Sequence, residues 1–317
     1  MPVKIPVGIS SCLLGENVRF DGGHKQHSYV QKTLGEYFEF RTFCPEVAIG
    51  LGIPRRPIRL IRKAGSDEIR CVSTVDESKD YTDALVDAAE QQAHWHRDLC
   101  GYILKRASPS CGMERVKVYS EQGMPFNDGA GIYAATLMKN FPELPVEEEG
   151  RLGDSRLREN FIQRVYVMWR WKELLESGVT VGRLVDFHAR HKLIIMSHDQ
   201  QDYRALGKLV AGIRKENLSE QLPAYLHGLM AALKKIASLG NHVNVLQHIQ
   251  GYLKQNLDRD DKQELVQCIE DYRNGVVPLI VPITLLNHHF RRNPNEYIER
   301  SWYMKPYPSE LSLTNQI

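Results

Sequence analysis

The sequence of 317 residues lacks any apolar segment long enough to span a membrane. A spanning helix needs about 20 consecutive apolar residues. The longest largely apolar run covers 12 residues, from Gly275 to Leu286, and is interrupted by Pro278 and Pro282. The first ten residues contain no long apolar core of the kind that secretory signals carry. We therefore expect a cytoplasmic protein that makes no contact with a membrane.

Cysteine is scarce, because six residues in 317 are too few for a disulfide scaffold. No C-x2-C pair occurs, although structural zinc sites commonly use such local pairs. Disordered and fibrous classes are excluded as well, since 42% of the residues are hydrophobic and 25% are charged. The sequence is that of a globular chain whose few thiols bind a metal, react or simply pack.

Charge is divided unevenly along the chain. Residues 1–150 carry 18 Lys and Arg against 21 Asp and Glu, a net charge of −3, whereas residues 151–317 carry 23 against 18, a net charge of +5. A modest basic excess is typical of solvated helices and also of surfaces that bind polyanions, so both interpretations stay open. The candidate phosphate contacts are three basic pairs: Arg190 with Lys192, Arg214 with Lys215, and Arg291 with Arg292.

The hydrophobic patterning predicts two domains. Over residues 1–145, short β-prone runs alternate with helical stretches, which is typical of a Rossmann-like α/β domain with a mostly parallel sheet. Over residues 155–317 the apolar positions follow helical spacing, which predicts an all-α domain. Prolines, an acidic run and glycines interrupt the periodicity between them, so we place a linker at residues 146–154.

Three cysteines each follow a predicted strand: Cys12, Cys44 and Cys111. Loops that leave the carboxyl ends of parallel strands meet in one crevice, so these thiols are expected to converge. A [4Fe–4S] cluster held by three thiolates leaves one iron open to a soft substrate atom such as sulfur. The alternative is that these thiols are small buried hydrophobes, which is how we interpret the other three cysteines, Cys71, Cys100 and Cys268.

Several motifs resemble known families. The strings SCLLG at Ser11–Gly15, CPE at Cys44–Glu46 and SPSCG at Ser108–Gly112 resemble those of bacterial thiouracil desulfidases, over residues 1–145. The strings DFHARHK at Asp186–Lys192 and YMKPYP at Tyr303–Pro308 resemble a YbgA-type helical domain. The combination is similar to bacterial desulfidases that convert 4-thiouridine in tRNA back to uridine.

This resemblance implies specific roles. Cys12, Cys44 and Cys111 would hold a [4Fe–4S] cluster in which one iron has no protein ligand, and Glu46 and Ser108 would form a catalytic acid/base pair. In the loop after SCLLG, where relatives can carry a further cysteine, this chain has a valine, which favours the open iron. The alternative for Glu46 is an acid in the first turn of a helix, stabilised there by exposed amides.

Five further residues are candidates for binding substrate. Arg55 and Arg56 follow the Cys44 loop, and guanidinium groups match phosphate oxygens. Ser11, Asn17 and Arg19 lie in the first motif loop and are expected to line the crevice or to shape a turn. An ordinary solvated surface is the alternative for the arginines.

The partner implied by this interpretation is tRNA as substrate, and we infer no obligate protein partner. Two rival functions stay open. One is a desulfidase of free thiopyrimidines, whose tRNA binding would lack a steep salt dependence. The other is a non-enzymatic iron–sulfur sensor or RNA-binding module.

Histidines and aromatic residues of the second domain receive simpler interpretations. His188, His191 and His198 are expected to be surface or core residues, because no nearby carboxylate or cysteine completes a zinc pattern. The C-terminal aromatic group, Trp302, Tyr303 and Tyr307, is expected to stack an unpaired base.

Overall fold

The structure, a computed structural model, describes residues 3–63 and 65–311. The chain divides into two compact units, Met1–Asp154 and Ser155–Ile317. None of the helices in the described ranges is both long and apolar enough to pass through a membrane.

The first unit mixes strands and helices, as the alternating pattern predicts. Its strands and α-helices are, in chain order, β1 (Ile5–Ser10), β2 (Phe38–Phe43), α1 (Pro45–Ala48), β3 (Ile58–Arg62), β4 (Ile69–Ser73), α2 (Thr82–Gln91), α3 (Ala93–His96), β5 (Gly101–Leu104), β6 (Val116–Tyr119), β7 (Pro125–Gly129), α4 (Ile132–Asn140) and β8 (Val146–Glu148).

A four-stranded sheet in the order β2-β1-β5-β8 is parallel throughout. Its central strands are apolar and buried, which suits a parallel sheet that is covered on its faces. Gly8 of β1 allows the ring of Tyr102 to pack closely, since a Cβ at this glycine would lie 2.4 Å from that ring. The predicted α/β domain with a parallel sheet is confirmed.

A second four-stranded sheet, in the order β4-β3-β6-β7, was not predicted. Its β3 and β6 are parallel, but the β3–β4 and β6–β7 pairs are antiparallel. Several β-prone runs that the pattern assigns to one sheet therefore belong to this one. The two antiparallel pairs join strands that are neighbours in the sequence, but the β3–β6 pair that unites them places Leu60 opposite Val118. Strand propensity does not show such a distant partner.

The prediction of a linker at residues 146–154 is wrong, because the structure has regular elements there. Val146–Glu148 forms β8, which pairs with β5, and a 3-10 helix follows at Arg151–Gly153. Glu147, Glu148 and Glu149 are all buried. An acidic run looks solvated in a sequence, but here hydrogen bonds and ion pairs satisfy the carboxylates.

The second unit is all-α in its described part, and that prediction is confirmed. Its α-helices are α5 (Ser155–Glu176), α6 (Val181–His198), α7 (Gln200–Gly212), α8 (Leu218–Lys234), α9 (Leu239–Gln250), α10 (Arg259–Arg273), α11 (Ile280–Arg292) and α12 (Glu296–Glu299). Trp171, Phe187 and Tyr225 pack together where α5, α6 and α8 meet.

The three histidines considered as a possible zinc site lie in the core of this unit. His188, His191 and His198 are buried, and the Nδ1 atom of each has a hydrogen-bond partner within 3.1 Å. Tyr303 and Tyr307 are buried too, so the expectation that they stack a base is wrong. Their hydroxyls hydrogen-bond within the unit, which satisfies buried aromatic residues of this kind.

Candidate active site

Three cysteine thiols line one cavity at the carboxyl edge of the parallel sheet. Cys12 lies in a 3-10 helix, Ser11–Leu14, directly after β1. Cys44 directly follows β2 and caps α1, and Cys111 lies in the loop after β5. The cavity has a volume of about 170 Å³. Adjacent strand ends thus bring together residues that are far apart in the sequence, as expected for a parallel sheet.

The amino end of α4 holds the Cys111 loop in place. The backbone N–H groups of Ile132 and Ala134 donate to the carbonyl oxygens of Pro109 and Ser110, each over 3.1 Å. Gly131 makes this close approach possible, because a Cβ at that position would lie 2.5 Å from the Ser110 carbonyl carbon. These bonds use helix N–H groups that otherwise lack partners, so the loop is fixed by α4.

Burial dominates the electrostatics of the thiols. Desolvation raises the pKa of Cys12 to about 11, although Lys105 lowers it. Desolvation also raises the pKa values of Cys44 and Cys111, and a charge on Cys44 raises the pKa of Cys111 further. The thiols therefore lie close enough to influence one another, and without a metal they are protonated near neutral pH.

The donor set fits a metal cluster better than a single ion. Within residues 3–63 and 65–311, no three His, Cys, Asp or Glu side chains form a group suited to one ion. Cys12, Cys44 and Cys111 are free thiols that line one cavity, which suits a cluster in which each thiolate ligates a different iron. Lys105 and Arg55 lie beside these thiols and would offset the negative charge of thiolates.

Glu46 lies in the same cavity and is held at both carboxylate oxygens. Arg55 donates to Oε2 from Nε over 2.9 Å and from Nη2 over 2.7 Å. The Ser110 hydroxyl donates to Oε1 over 2.7 Å. Glu46 lies in the first turn of α1, but its carboxylate accepts hydrogen bonds from Arg55 and Ser110 and not from exposed helix amides, and its role as an acid/base stays a prediction. Its carboxylate faces the thiols in a fixed orientation.

Ser108 reaches Glu46 only through Ser110. The two serine hydroxyl oxygens are 2.9 Å apart. Because the Ser110 hydrogen is donated to Glu46, Ser108 is the donor between the serines. Ser108 Oγ also accepts the N–H of Cys111 over 3.1 Å. The chain of hydrogen bonds that ends at Glu46 therefore begins at the backbone of Cys111. Sequence reasoning missed Ser110, although it belongs to the same SPSCG string.

Lys105 is a second residue that sequence reasoning missed. It lines the cavity, and its ammonium group pairs with Glu149 over 2.5 Å. Glu149 also accepts the N–H of Arg106 over 2.6 Å, which ties the start of the Cys111 loop to the end of β8. The only sequence signal was a basic residue directly after β5, which is a common surface pattern.

The remaining candidates for substrate binding divide into two groups. Ser11, Arg19 and Arg55 line the cavity. Asn17 and Arg56 are exposed and are not part of its lining. For Arg55, the ion pair with Glu46 occupies the guanidinium group, so its expected role as a phosphate contact is replaced by one in positioning Glu46.

The six basic candidates of the second unit lie on different elements. Arg190 and Lys192 are on α6, and their cationic groups lie over the rings of Trp302 and Tyr297, at 4.3 and 4.4 Å from the centroids. The other four are exposed, near the end of α7 and at the end of α11: Arg214, Lys215, Arg291 and Arg292. Their role as phosphate contacts stays a prediction.

Two sequence families match the chain. Residues 7–149 match a family described as 2-thiouracil desulfurase, and residues 192–308 match a family described as protein of unknown function (DUF1722).

Individual relatives each match part of the chain. The chain is 31% identical to the uncharacterized protein YbgA of Escherichia coli (strain K12), over 50% of this chain and 94% of that protein. It is 28% identical to the uncharacterized protein YbbK of Bacillus subtilis (strain 168), over 41% of this chain and 87% of that protein. A solved structure, the [4Fe-4S]-dependent thiouracil desulfidase TudS, is 30% identical and covers 48% of this chain and 95% of its own, with a TM-score of 0.38.

Proposed function

Because the chain belongs to the 2-thiouracil desulfurase family in its first unit and to the YbgA family in its second, we propose that it removes sulfur from 4-thiouridine in tRNA. The observation that supports this most is the cavity in which three thiols meet Glu46. The reaction replaces the thiocarbonyl sulfur with oxygen from water and releases hydrosulfide and a proton. No electron is gained or lost.

The three thiols fit a [4Fe–4S] cluster, with Cys12, Cys44 and Cys111 as its ligands. When bound, the cluster supplies an iron without a protein ligand, a Lewis acid that draws electron density from the carbon bonded to sulfur. Lys105, Arg19 and Arg55 line the same cavity, and each is paired with a carboxylate: Glu149, Asp21 and Glu46, respectively.

Glu46 is the group that takes the proton of the attacking water. Its carboxylate oxygens keep lone pairs beyond those used by Arg55 and Ser110, so a water molecule can still bind. The Ser108–Ser110–Glu46 chain runs in one direction, with each hydroxyl donating toward the carboxylate. The chain offers a second route beside direct transfer: a water molecule bound at Ser108 passes its proton through the hydroxyls of Ser108 and Ser110 to Glu46.

The tRNA substrate is supported by charge. Residues 151–317 carry a net charge of +5, and Arg214, Lys215, Arg291 and Arg292 are exposed. Contacts from these residues to phosphates would offset the few kcal/mol needed to take a base out of its stack. A free thiopyrimidine is the second candidate substrate, since the family that matches the first unit is described by 2-thiouracil.

The test compares two substrates under anaerobic conditions. The protein is purified without oxygen, its iron and sulfide are measured, and loss of the thiobase absorbance is followed in bulk tRNA and in free 2-thiouracil. Cys111→Ala removes one ligand. Cys268→Ala, which removes a half-buried thiol of α10, is the matched control.

We expect the wild type and Cys268→Ala to consume 4-thiouridine in tRNA, and Cys111→Ala to lose both activity and iron. Activity on 2-thiouracil alone would replace the tRNA proposal by the free-base function. A protein that holds its iron and sulfide yet leaves both substrates unchanged would contradict the enzymatic proposal and favour a sensor.

A further inference from the structure

A cavity of about 370 Å³ lies wholly within the second unit. We call it the α5 cavity, because Ser155, Glu159, Asn160 and Gln163 on one face of α5 form one wall. Much of the remaining lining is apolar and includes Leu239, and His198, His242 and Tyr272 also belong to it. A volume of this size with a few polar groups on an apolar background is typical of sites for small ligands. The proposed desulfidase chemistry uses none of these residues.

The amide of Asn160 presents an acceptor to this cavity. Its Nδ2 donates to the carbonyl oxygen of Leu233 over 2.8 Å. A carbonyl only accepts, so this bond fixes which end of the amide is the nitrogen. Asn160 is buried, and its Oδ1 is the polar atom that the bond leaves available.

The hydrogen bonds of the neighbouring His198 ring show that Gln163 also has an amide oxygen available as an acceptor. Burial lowers the pKa of His198 to about 4, so the ring is neutral and carries one hydrogen. That hydrogen belongs to Nδ1, which lies 2.5 Å from the Lys235 carbonyl oxygen. The Gln163 amide lies 2.6 Å from Nε2, which then has no hydrogen to donate. The amide nitrogen is therefore the group that donates to Nε2, and the amide oxygen is left as an acceptor.

Glu159 completes a set of three acceptors. The Tyr307 hydroxyl donates to its Oε1 over 2.7 Å, which leaves the second oxygen available. Burial raises the pKa of this carboxyl. In the part of the chain that the structure describes, no lysine or arginine forms an ion pair with Glu159. Arg156 also belongs to the lining, but its side chain is exposed, where solvent screens its charge.

We propose that the α5 cavity binds a small organic cation through a primary ammonium group, with Glu159, Asn160 and Gln163 as the acceptors. An ammonium group carries three N–H donors, one for each acceptor at the first, second and fifth positions of the segment from Glu159 to Gln163. The alkyl part of such a ligand packs on the apolar side of the cavity. A phosphate or carboxylate ligand is disfavoured, because the buried wall offers acceptors and a carboxyl group.

Binding is measured by calorimetry on the full chain with three probes of similar size. n-Butylamine carries the ammonium group, 1-butanol is its neutral counterpart, and butyltrimethylammonium is a cation without N–H donors. We expect saturable 1:1 binding of n-butylamine, and at least tenfold weaker binding of the other two. Equal affinity for 1-butanol or for butyltrimethylammonium would overturn the proposal, as would a lack of saturable amine binding.

Two variants locate the site. Glu159→Gln keeps the shape but removes the charge and is expected to weaken n-butylamine binding at least tenfold, whereas Glu176→Gln, at an exposed position of the same helix, leaves it unchanged. Leu239→Trp obstructs the cavity from a residue that is 45% exposed, so it is expected to fold and to abolish binding. Amine binding that survives both substitutions would refute the assignment. Because this readout does not depend on desulfidation, it is independent of the proposed function.

Discussion

The ion pair between Arg55 and Glu46 provides a direct test of the site's architecture. Arg55 donates two hydrogen bonds to one carboxylate oxygen, and the side chains are only 7% and 13% exposed. Removing one partner of a pair this buried leaves an uncompensated charge, at a typical cost of about 3–5 kcal/mol. We expect Arg55→Met to lower the free energy of unfolding of the first unit by about 3 kcal/mol, the low end of that range, because the carboxylate keeps the bond from Ser110.

Glu46→Gln completes a double-mutant cycle with this variant. Glu46→Gln is expected to lose stability as well as activity, because the buried Arg55 guanidinium loses its counter-charge and two charge-assisted bonds weaken, at about 1–3 kcal/mol. In the double variant neither charge remains, so we expect a coupling energy of about 2 kcal/mol between the two sites.

Hydrogen exchange on the cluster-free protein reports the first unit separately, through the amides of β1 and β5. Omitting the cluster keeps ligand binding out of the measured stability. Arg59→Met is the matched control, because Arg59 pairs with Glu77 at 31% and 53% exposure and should cost about 0–1 kcal/mol. If Arg55→Met costs no more than this control, or the coupling is below about 0.5 kcal/mol, the buried pair does not exist as described.

Three further predictions follow from the loops and the charges. Gly131→Ala would press a Cβ against the Ser110 carbonyl and is expected to destabilise the first unit by about 1–3 kcal/mol and to lower its iron content, whereas Gly153→Ala, with open space around it, changes neither in thermal unfolding and iron analysis. Ser110→Ala removes the bond to Glu46 and should lower kcat about 10- to 100-fold with little change in KM, and an unchanged kcat would show that the serine chain carries no proton. Neutralising Arg291 and Arg292 to Gln should reduce the salt slope of tRNA binding by about 1–2 without affecting turnover of free 2-thiouracil, and an unchanged slope would argue against phosphate contacts there.

The thiols could be predicted from the sequence because their position depends on a local rule. Cys12, Cys44 and Cys111 each follow a strand, and parallel strands end at one edge of a sheet. The helical spacing of the second unit is local in the same sense. The second sheet could not be predicted this way, because the β3–β6 pair that unites its two hairpins joins distant parts of the chain, and strand propensity gives no sign of such a partner.

The hydrogen-bonded part of the site could not be predicted for a related reason. Ser110 is two residues from Ser108, and nothing in the string shows which hydroxyl faces Glu46. The loop's attachment to α4 decides this, through bonds that involve the carbonyls of Pro109 and Ser110. Arg55 looked like a phosphate contact, because a sequence cannot show that a carboxylate 9 positions earlier already occupies its guanidinium.

Strand β8 explains why the acidic run was misinterpreted, and it also shows how the sheet organises the site. Three strands of the parallel sheet lead to the thiols of the cavity: β1 to Cys12, β2 to Cys44, and β5 to the Cys111 loop. Glu149 directly follows the fourth strand, β8, and its carboxylate accepts hydrogen bonds from Lys105 and from the N–H of Arg106. A carboxylate at this buried position is stable only because both partners are present. The acidic residues at and after the end of β8 thus hold both ends of the Cys111 loop, because Glu149 accepts the N–H of Arg106 and Glu148 accepts the N–H of Met113.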